Sequence, residues 1–114
     1  MIKKINDEYV VSFWGVLNEC CDFTEKRDLN LNNEVSIKEI SENILIEAYI
    51  DLPYDIKIKT KDSLQYAINY WSDNKLERLY YCSIPMYSLP TNITVREFYI
   101  KVWNYIFNKD YYMD

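Results

Sequence analysis

One glycine and three prolines in 114 residues leave this chain few means of making tight turns. Barrels and sandwiches depend on many such turns, so an all-β architecture is disfavoured and helices become the default element. Hydrophobic residues make up 49% of the chain, which suits a packed core rather than a disordered segment. No repeat, low-complexity tract or linker interrupts it. The expected fold is mainly α, a compact bundle of four to five helices forming a single domain over residues 1–114, with a minor strand element around residues 44–60 as the alternative for that stretch.

Hydrophobic spacing supports this segment by segment. Between Asp7 and Phe23, the residues Val10, Phe13, Trp14, Leu17, Cys20 and Cys21 share one helical face. A strand over residues 9–17 competes there, because Val-Val-Ser-Phe-Trp also suits a sheet. The polar, Asn-rich residues 24–34 read as a loop. Ser36 and Glu39 have capping-box spacing, so a helix is expected from Ser36, with Ile37, Ile40, Ile44 and Ala48 inward and Glu39, Glu42 and Glu47 outward. From Ile44 to Leu52 the apolar residues also alternate, and periodicity leaves helix and strand open. Pro53 is read as a terminator. Residues 55–61 alternate Ile56 and Ile58 with Lys57, Lys59 and Lys61, which predicts a short strand or an extended connector. Asp62 then caps a helix whose buried stripe is Leu64, Ala67, Ile68 and Trp71. A short helix carries Leu76, Leu79 and Tyr80 to about Cys82. Thr94 and Glu97 form a second capping box ahead of Val95, Phe98, Tyr99, Val102, Trp103, Ile106 and Phe107, the longest apolar face in the chain.

The chemistry missing from the sequence narrows function. There is no histidine, which removes the commonest general base at neutral pH and the His-dependent nucleophile and metal systems. Cys20 and Cys21 are adjacent and Cys82 is solitary, so no Cys-x-x-Cys pair exists, and Cys20 and Cys21 are expected to be buried inert thiols. The lone Gly15 cannot build a phosphate-cradling loop. Glu39 with Glu42, and Glu47 with Asp51, are spaced as ordinary solvated carboxylates. No enzyme, no cofactor and no metal site is expected. No run of apolar residues is long enough to span a bilayer or follows the N-terminal lysines as a signal peptide would, so the expected location is the cytoplasm.

Net charge is -5, unevenly spread. Residues 1–55 hold 12 acids against five bases, a net of -7, while residues 56–114 hold eight bases against six acids, a net of +2. Such a field repels nucleic acid and steers a basic protein. The chain also carries 12 tyrosines, a residue enriched in interfaces because it presents a rigid apolar body with a polar tip. Neighbouring helix residues point about 100° apart, so of Tyr80 and Tyr81 only one can face the core squarely.

Leu79-Tyr80-Tyr81-Cys82-Ser83-Ile84-Pro85, following a short helix and preceded by an acidic helix with Glu39, Glu42, Glu47 and Asp51, resembles the small acidic helical immunity proteins of bacterial toxin systems. Those of nuclease bacteriocins place a Tyr-Tyr pair before a proline beside an acidic specificity helix. Here the proline comes four positions after Tyr81, and residues 55–73 add an element. The resemblance, to nuclease-bacteriocin immunity proteins or to those of contact-dependent growth inhibition, implies a protein that binds and occludes a basic toxin, expected to be a nuclease, with Glu39, Glu42, Glu47, Asp51, Tyr80 and Tyr81 as the contact residues. The alternatives are a phage-encoded inhibitor of the anti-CRISPR or DNA-mimic kind, and a structural or adaptor protein.

Overall fold

The structure, a computed structural model, describes residues 6–17, 31–83 and 87–107. Among them are six α segments: α1 (Asp7–Trp14), α2 (Glu34–Ile40), α3 (Ile46–Ile50), α4 (Tyr54–Tyr70), α5 (Asp73–Cys82) and α6 (Val95–Phe107). A 3-10 turn, Gly15–Leu17, prolongs α1, and a π turn, Ser41–Leu45, fuses α2 with α3. Five helical rods result, and no strand occurs among the described residues. Cys20, Cys21, most of the predicted 24–34 loop, Pro85 and the tail 108–114 lie outside the described residues.

The ambiguous N-terminal segment is helical. Asn6 caps it by accepting from the Glu8 amide at 2.9 Å, and Val10, Phe13, Trp14 and Leu17 are all buried at helical spacing. The next rod starts earlier than the Ser36 capping box predicts. Asn33 is the cap, its side chain accepting from the Val35 amide at 3.0 Å, and Ser36 is buried inside α2. Asn caps as well as Ser does, and the loop-like run of asparagines hid it.

The π turn explains a second departure. It holds one residue more than an α turn, and this carries Leu45 into the core in place of Ile44, which is only partly buried. The buried Ser41 hydroxyl donates to the Ile37 carbonyl at 2.8 Å, so the irregular turn leaves no orphan there.

The largest correction concerns residues 55–61, which are helix rather than strand or connector. α4 is 17 residues long and begins directly after Pro53, which starts the helix instead of merely ending the one before. Asp62 is mid-helix and caps nothing. The inner face is Thr60, Ser63, Leu64, Ala67 and Ile68. Two of those five are hydroxyl residues, so the 3.6-residue period was weak where the Ile-Lys alternation was strong. The minor strand around 44–60 is absent.

α5 begins after Ser72, whose hydroxyl accepts from the Lys75 amide at 3.2 Å. At α6 the predicted capping box is fully formed: Glu97 N donates to Thr94 Oγ1 at 3.1 Å and Thr94 N to Glu97 Oε1 at 3.2 Å. Arg96, the second residue of α6, donates to the carbonyls of Ile68 and Trp71 and pairs with Asp73 at 3.0 Å, so one guanidinium closes the end of α4 and ties it to α5 and α6.

Trp14 sits at the middle of the core. Its ring lies 4.9 Å from Phe13, 5.3 Å from Tyr80, 5.4 Å from Phe98 and 5.0 Å from Tyr99, joining α1, α5 and α6 in one aromatic cluster.

Candidate interaction surface

Along the rod formed by α2, the π turn and α3, Glu42 and Glu47 are exposed and Glu39 is half-buried; Asp51, just past its end, is exposed too. These four predicted contact residues recur at three- to five-residue steps, which places them on one side of the rod by helical register, with Asn43 exposed next to Glu42. Glu34 belongs to a different task. Its carboxylate accepts from Lys101 Nζ at 2.7 Å and from the Tyr105 hydroxyl, clamping α2 onto α6. Lys101 and Tyr105 together hold the Glu34 carboxyl below the usual range, and the same carboxylate, aided by burial and the field of Glu42, pushes the Tyr105 phenol up to about 12.

The corner between α3 and α4 is fixed by short-range bonds. Asp51 N donates to Glu47 O at 3.2 Å and Leu52 N to Tyr49 O at 3.1 Å, while the Tyr49 hydroxyl donates to Lys57 O at 3.1 Å. The Tyr49 ring meets Phe107 edge-on at 5.1 Å, anchoring the corner to α6. Next to the acids on this corner, Ile50 and Tyr54 project into solvent, Tyr54 with 79% of its surface exposed. Acidic side chains around exposed apolar anchors are the usual anatomy of a protein interface.

The tyrosine pair behaves differently from the expectation. Tyr80 is fully buried and its hydroxyl donates to Tyr87 O at 2.8 Å, so it is no contact residue in this fold. Tyr81 is 43% exposed, as the alternation of helix faces demands, yet its hydroxyl accepts from the Leu89 amide at 2.9 Å. Both phenols secure the 87–90 loop. The pair also stands on α5, which packs chiefly on α1 and α6, whereas the acids stand on the α2–α3 rod. The structure thus gathers the four acids and leaves the tyrosines elsewhere.

Reasoning from sequence missed the outer face of α4. Of seven large hydrophobic side chains exposed among the described residues, Tyr54, Ile58, Tyr66 and Tyr70 are on this one helix, and Ile50 precedes it by four residues. Reading 55–61 as a strand concealed the face; the signal was the helical spacing of Tyr54, Ile58, Tyr66 and Tyr70. A groove of about 600 Å³ follows the helix at Tyr54, Lys57, Ile58 and Lys61, walled by Tyr49 and by Trp103 of α6. The Lys61 ammonium lies 5.8 Å from the Trp103 ring centre and 5.0 Å from that of Phe107, within cation–π range.

A second hollow of about 290 Å³ between α1, α3 and α4 is lined by Phe13, Val16, Ala48, Leu52 and Ile56 with a few hydroxyl residues, and offers no acid or base. Among the described residues no three acidic or cysteine side chains converge as metal ligands would, and no helix is long and apolar enough to cross a membrane. No protein-family model, no curated protein and no solved structure matches the chain.

Proposed function

We propose that this chain is a non-enzymatic inhibitor of the immunity-protein kind, which binds a basic toxin domain and covers it. The observation that carries this reading is the acidic edge of Glu42, Glu47 and Asp51, flanked by half-buried Glu39 and bordered by the exposed anchors Ile50 and Tyr54. The acids steer a cationic partner and the two apolar side chains supply desolvated contact. Tyr80 drops out of the contact set, and Tyr54 with Ile50 takes its place.

A DNA-mimic inhibitor fits less well. Duplex DNA presents one charge per roughly 1.7 Å of axis, while Glu42, Glu47 and Asp51 span about 14 Å at the rise of a helix. Three carboxylates over that length are too sparse to imitate phosphate.

The test is co-purification with the products of genes adjacent to its own, followed by association kinetics at two salt concentrations. Steering predicts an association rate that falls about tenfold or more from low to physiological salt, and a similar fall when Glu42, Glu47 and Asp51 are all replaced by Lys. A rate indifferent to both changes would count decisively against the acidic edge.

A further inference from the structure

We infer that the hollow between α1, α3 and α4 binds a small neutral molecule, an apolar body the size of one ring and a short chain that carries a single hydroxyl or carbonyl. None of the acids or exposed anchors of the proposed interaction surface lines this hollow, so the inference stands apart from the basic-toxin reading.

The hollow arises from the way the rods meet. α1 packs closely on α4, but α3 packs closely on neither, and no residue of α3 is buried. Ala48 of α3, Leu52 just after it and Ile56 of α4 are half-buried, and none of the three is among the side chains packed against the core. All three line the hollow, opposite Phe13 and Val16 of the N-terminal rod. They border a shared space of about 290 Å³ instead of closing on one another. Apolar surface left wet in a concave site is surface that a ligand can still bury.

The walls select the kind of ligand. They carry no Asp, Glu, Lys or Arg, so an ionised molecule would lose hydration there and find no counter-charge. The volume stands at the lower end of the range for small-molecule sites, which suits a ligand of about ten non-hydrogen atoms.

Thr60 supplies the polar contact. It lines the hollow with only 2% of its surface exposed. Two other buried hydroxyls are engaged: Ser41 donates to Ile37 O at 2.8 Å, and Ser63, next along the inner face of α4, accepts from the Asn6 amide at 3.2 Å. The Thr60 hydroxyl makes no hydrogen bond among the described residues. Nor is it sealed, because the one side-chain polar atom among them that is both sealed and unpaired is Trp14 Nε1. A hydroxyl at the wall of a hollow can thus gain a hydrogen bond from a ligand without giving one up. Tyr9 and Ser12 add hydroxyls on the α1 side, whereas that of Tyr49 is already donated to Lys57 O.

The probe is 3-phenylpropan-1-ol, titrated into the intact chain with NMR shifts as the readout; the controls are the charged analogues 3-phenylpropanoate and 3-phenylpropylammonium. Saturable binding of the alcohol is expected at about millimolar concentration, the range for a ligand of this size, with shifts confined to the residues around Val16, Ala48, Leu52, Ile56 and Thr60. Each charged analogue should bind at least about tenfold more weakly. Thr60→Val keeps the shape and removes the hydroxyl, so it should weaken the alcohol several-fold while leaving the melting temperature unchanged or higher. Ala48→Phe, on a helix with no buried residue, should fill the space and abolish binding with the fold intact. No saturable binding, shifts elsewhere, a charged analogue that binds as well as the alcohol, or unaltered affinity in Thr60→Val overturns the proposal. So does a folded Ala48→Phe variant that still binds; if that variant does not fold, the Thr60→Val comparison decides.

Discussion

Aromatic residues are used in opposite ways at the centre of this molecule and on the outer face of α4. Around Trp14, Tyr80 and Tyr99 are sealed, and each hydroxyl donates to a carbonyl, Tyr80 to Tyr87 O at 2.8 Å and Tyr99 to Leu76 O at 2.7 Å. Burial drives both phenols well above their ordinary range, so they remain neutral donors. On α4, Tyr54, Tyr66 and Tyr70 stand in solvent, Tyr66 against Tyr70 at 4.6 Å. The first set fixes the fold. The second stays largely in solvent, and exposed apolar surface is where a partner gains most from burial.

The difference is widest for Trp14→Ala. The indole is fully buried against four rings, and large-to-small changes at such sites cost about 3–5 kcal/mol. Urea unfolding should therefore show a large loss of stability or outright unfolding. A loss below about 1 kcal/mol would mean that the centre is looser than its packing implies. The indole N–H has no hydrogen-bond partner of normal geometry, so the loss comes from packing rather than from a severed polar contact.

A smaller break tests the hydroxyls alone. Tyr80→Phe keeps the ring and removes the donor to Tyr87 O, which costs about 1–2 kcal/mol for a buried pair left half unsatisfied. Tyr81→Phe loses only a partly exposed acceptor for the Leu89 amide, which water can replace, so its loss should be clearly smaller in the same unfolding assay. Equal losses would erase the distinction between the two tyrosines.

These two residues also show what sequence could and could not disclose. That one of them faces inward follows from helix geometry; which one follows from the apolar neighbours Leu76 and Leu79, set four and one positions before Tyr80. Helix α6 was legible because cap and apolar face agree: Thr94→Ala should cost about 1 kcal/mol by thermal unfolding, through loss of a bond to the Glu97 amide. At α4 the two signals disagreed. Its inner face uses Thr60 and Ser63, one of which accepts the Asn6 amide from α1 at 3.2 Å, so polar residues sat where a period count expects apolar ones. The acids of the candidate surface were legible from their outward spacing, while Ile50 was not, because it fits the apolar alternation from Ile44 to Leu52, and Tyr54 was not, because the turn at residues 51–53 separates it from α3.

The clamp between α2 and α6 makes a weaker, pH-dependent contribution. Glu34 has a folded pKa below its ordinary 4.5, so its stabilisation is complete above about pH 4.5 and is lost as pH falls through the lower folded value. Tyr105 runs the other way: its folded pKa of about 12 exceeds the ordinary 10.0, so stability holds below pH 10 and declines as pH rises towards 12. Glu34→Gln should flatten both limbs of a stability-versus-pH curve. Glu34 is exposed and Tyr105 only partly buried, so the amplitude should stay under about 1 kcal/mol and shrink with salt.

The smallest expected effect decides most about the outer face. Tyr54 is 79% exposed at the first position of α4, and substitutions at such sites change stability by no more than about 0.5 kcal/mol. Tyr54→Ala should therefore leave urea and thermal unfolding almost unchanged while weakening capture of a partner that uses the corner with Ile50. A substantial loss of stability would show that the ring is part of the monomer's own packing, and the outer tyrosines would then join the centre as structural aromatics. Unchanged stability with unchanged binding would instead move the contact surface along α4 to Tyr66 and Tyr70. Only the combination of an intact fold and impaired binding keeps the two sets of aromatics distinct, because it separates a side chain that water tolerates from one that a partner needs.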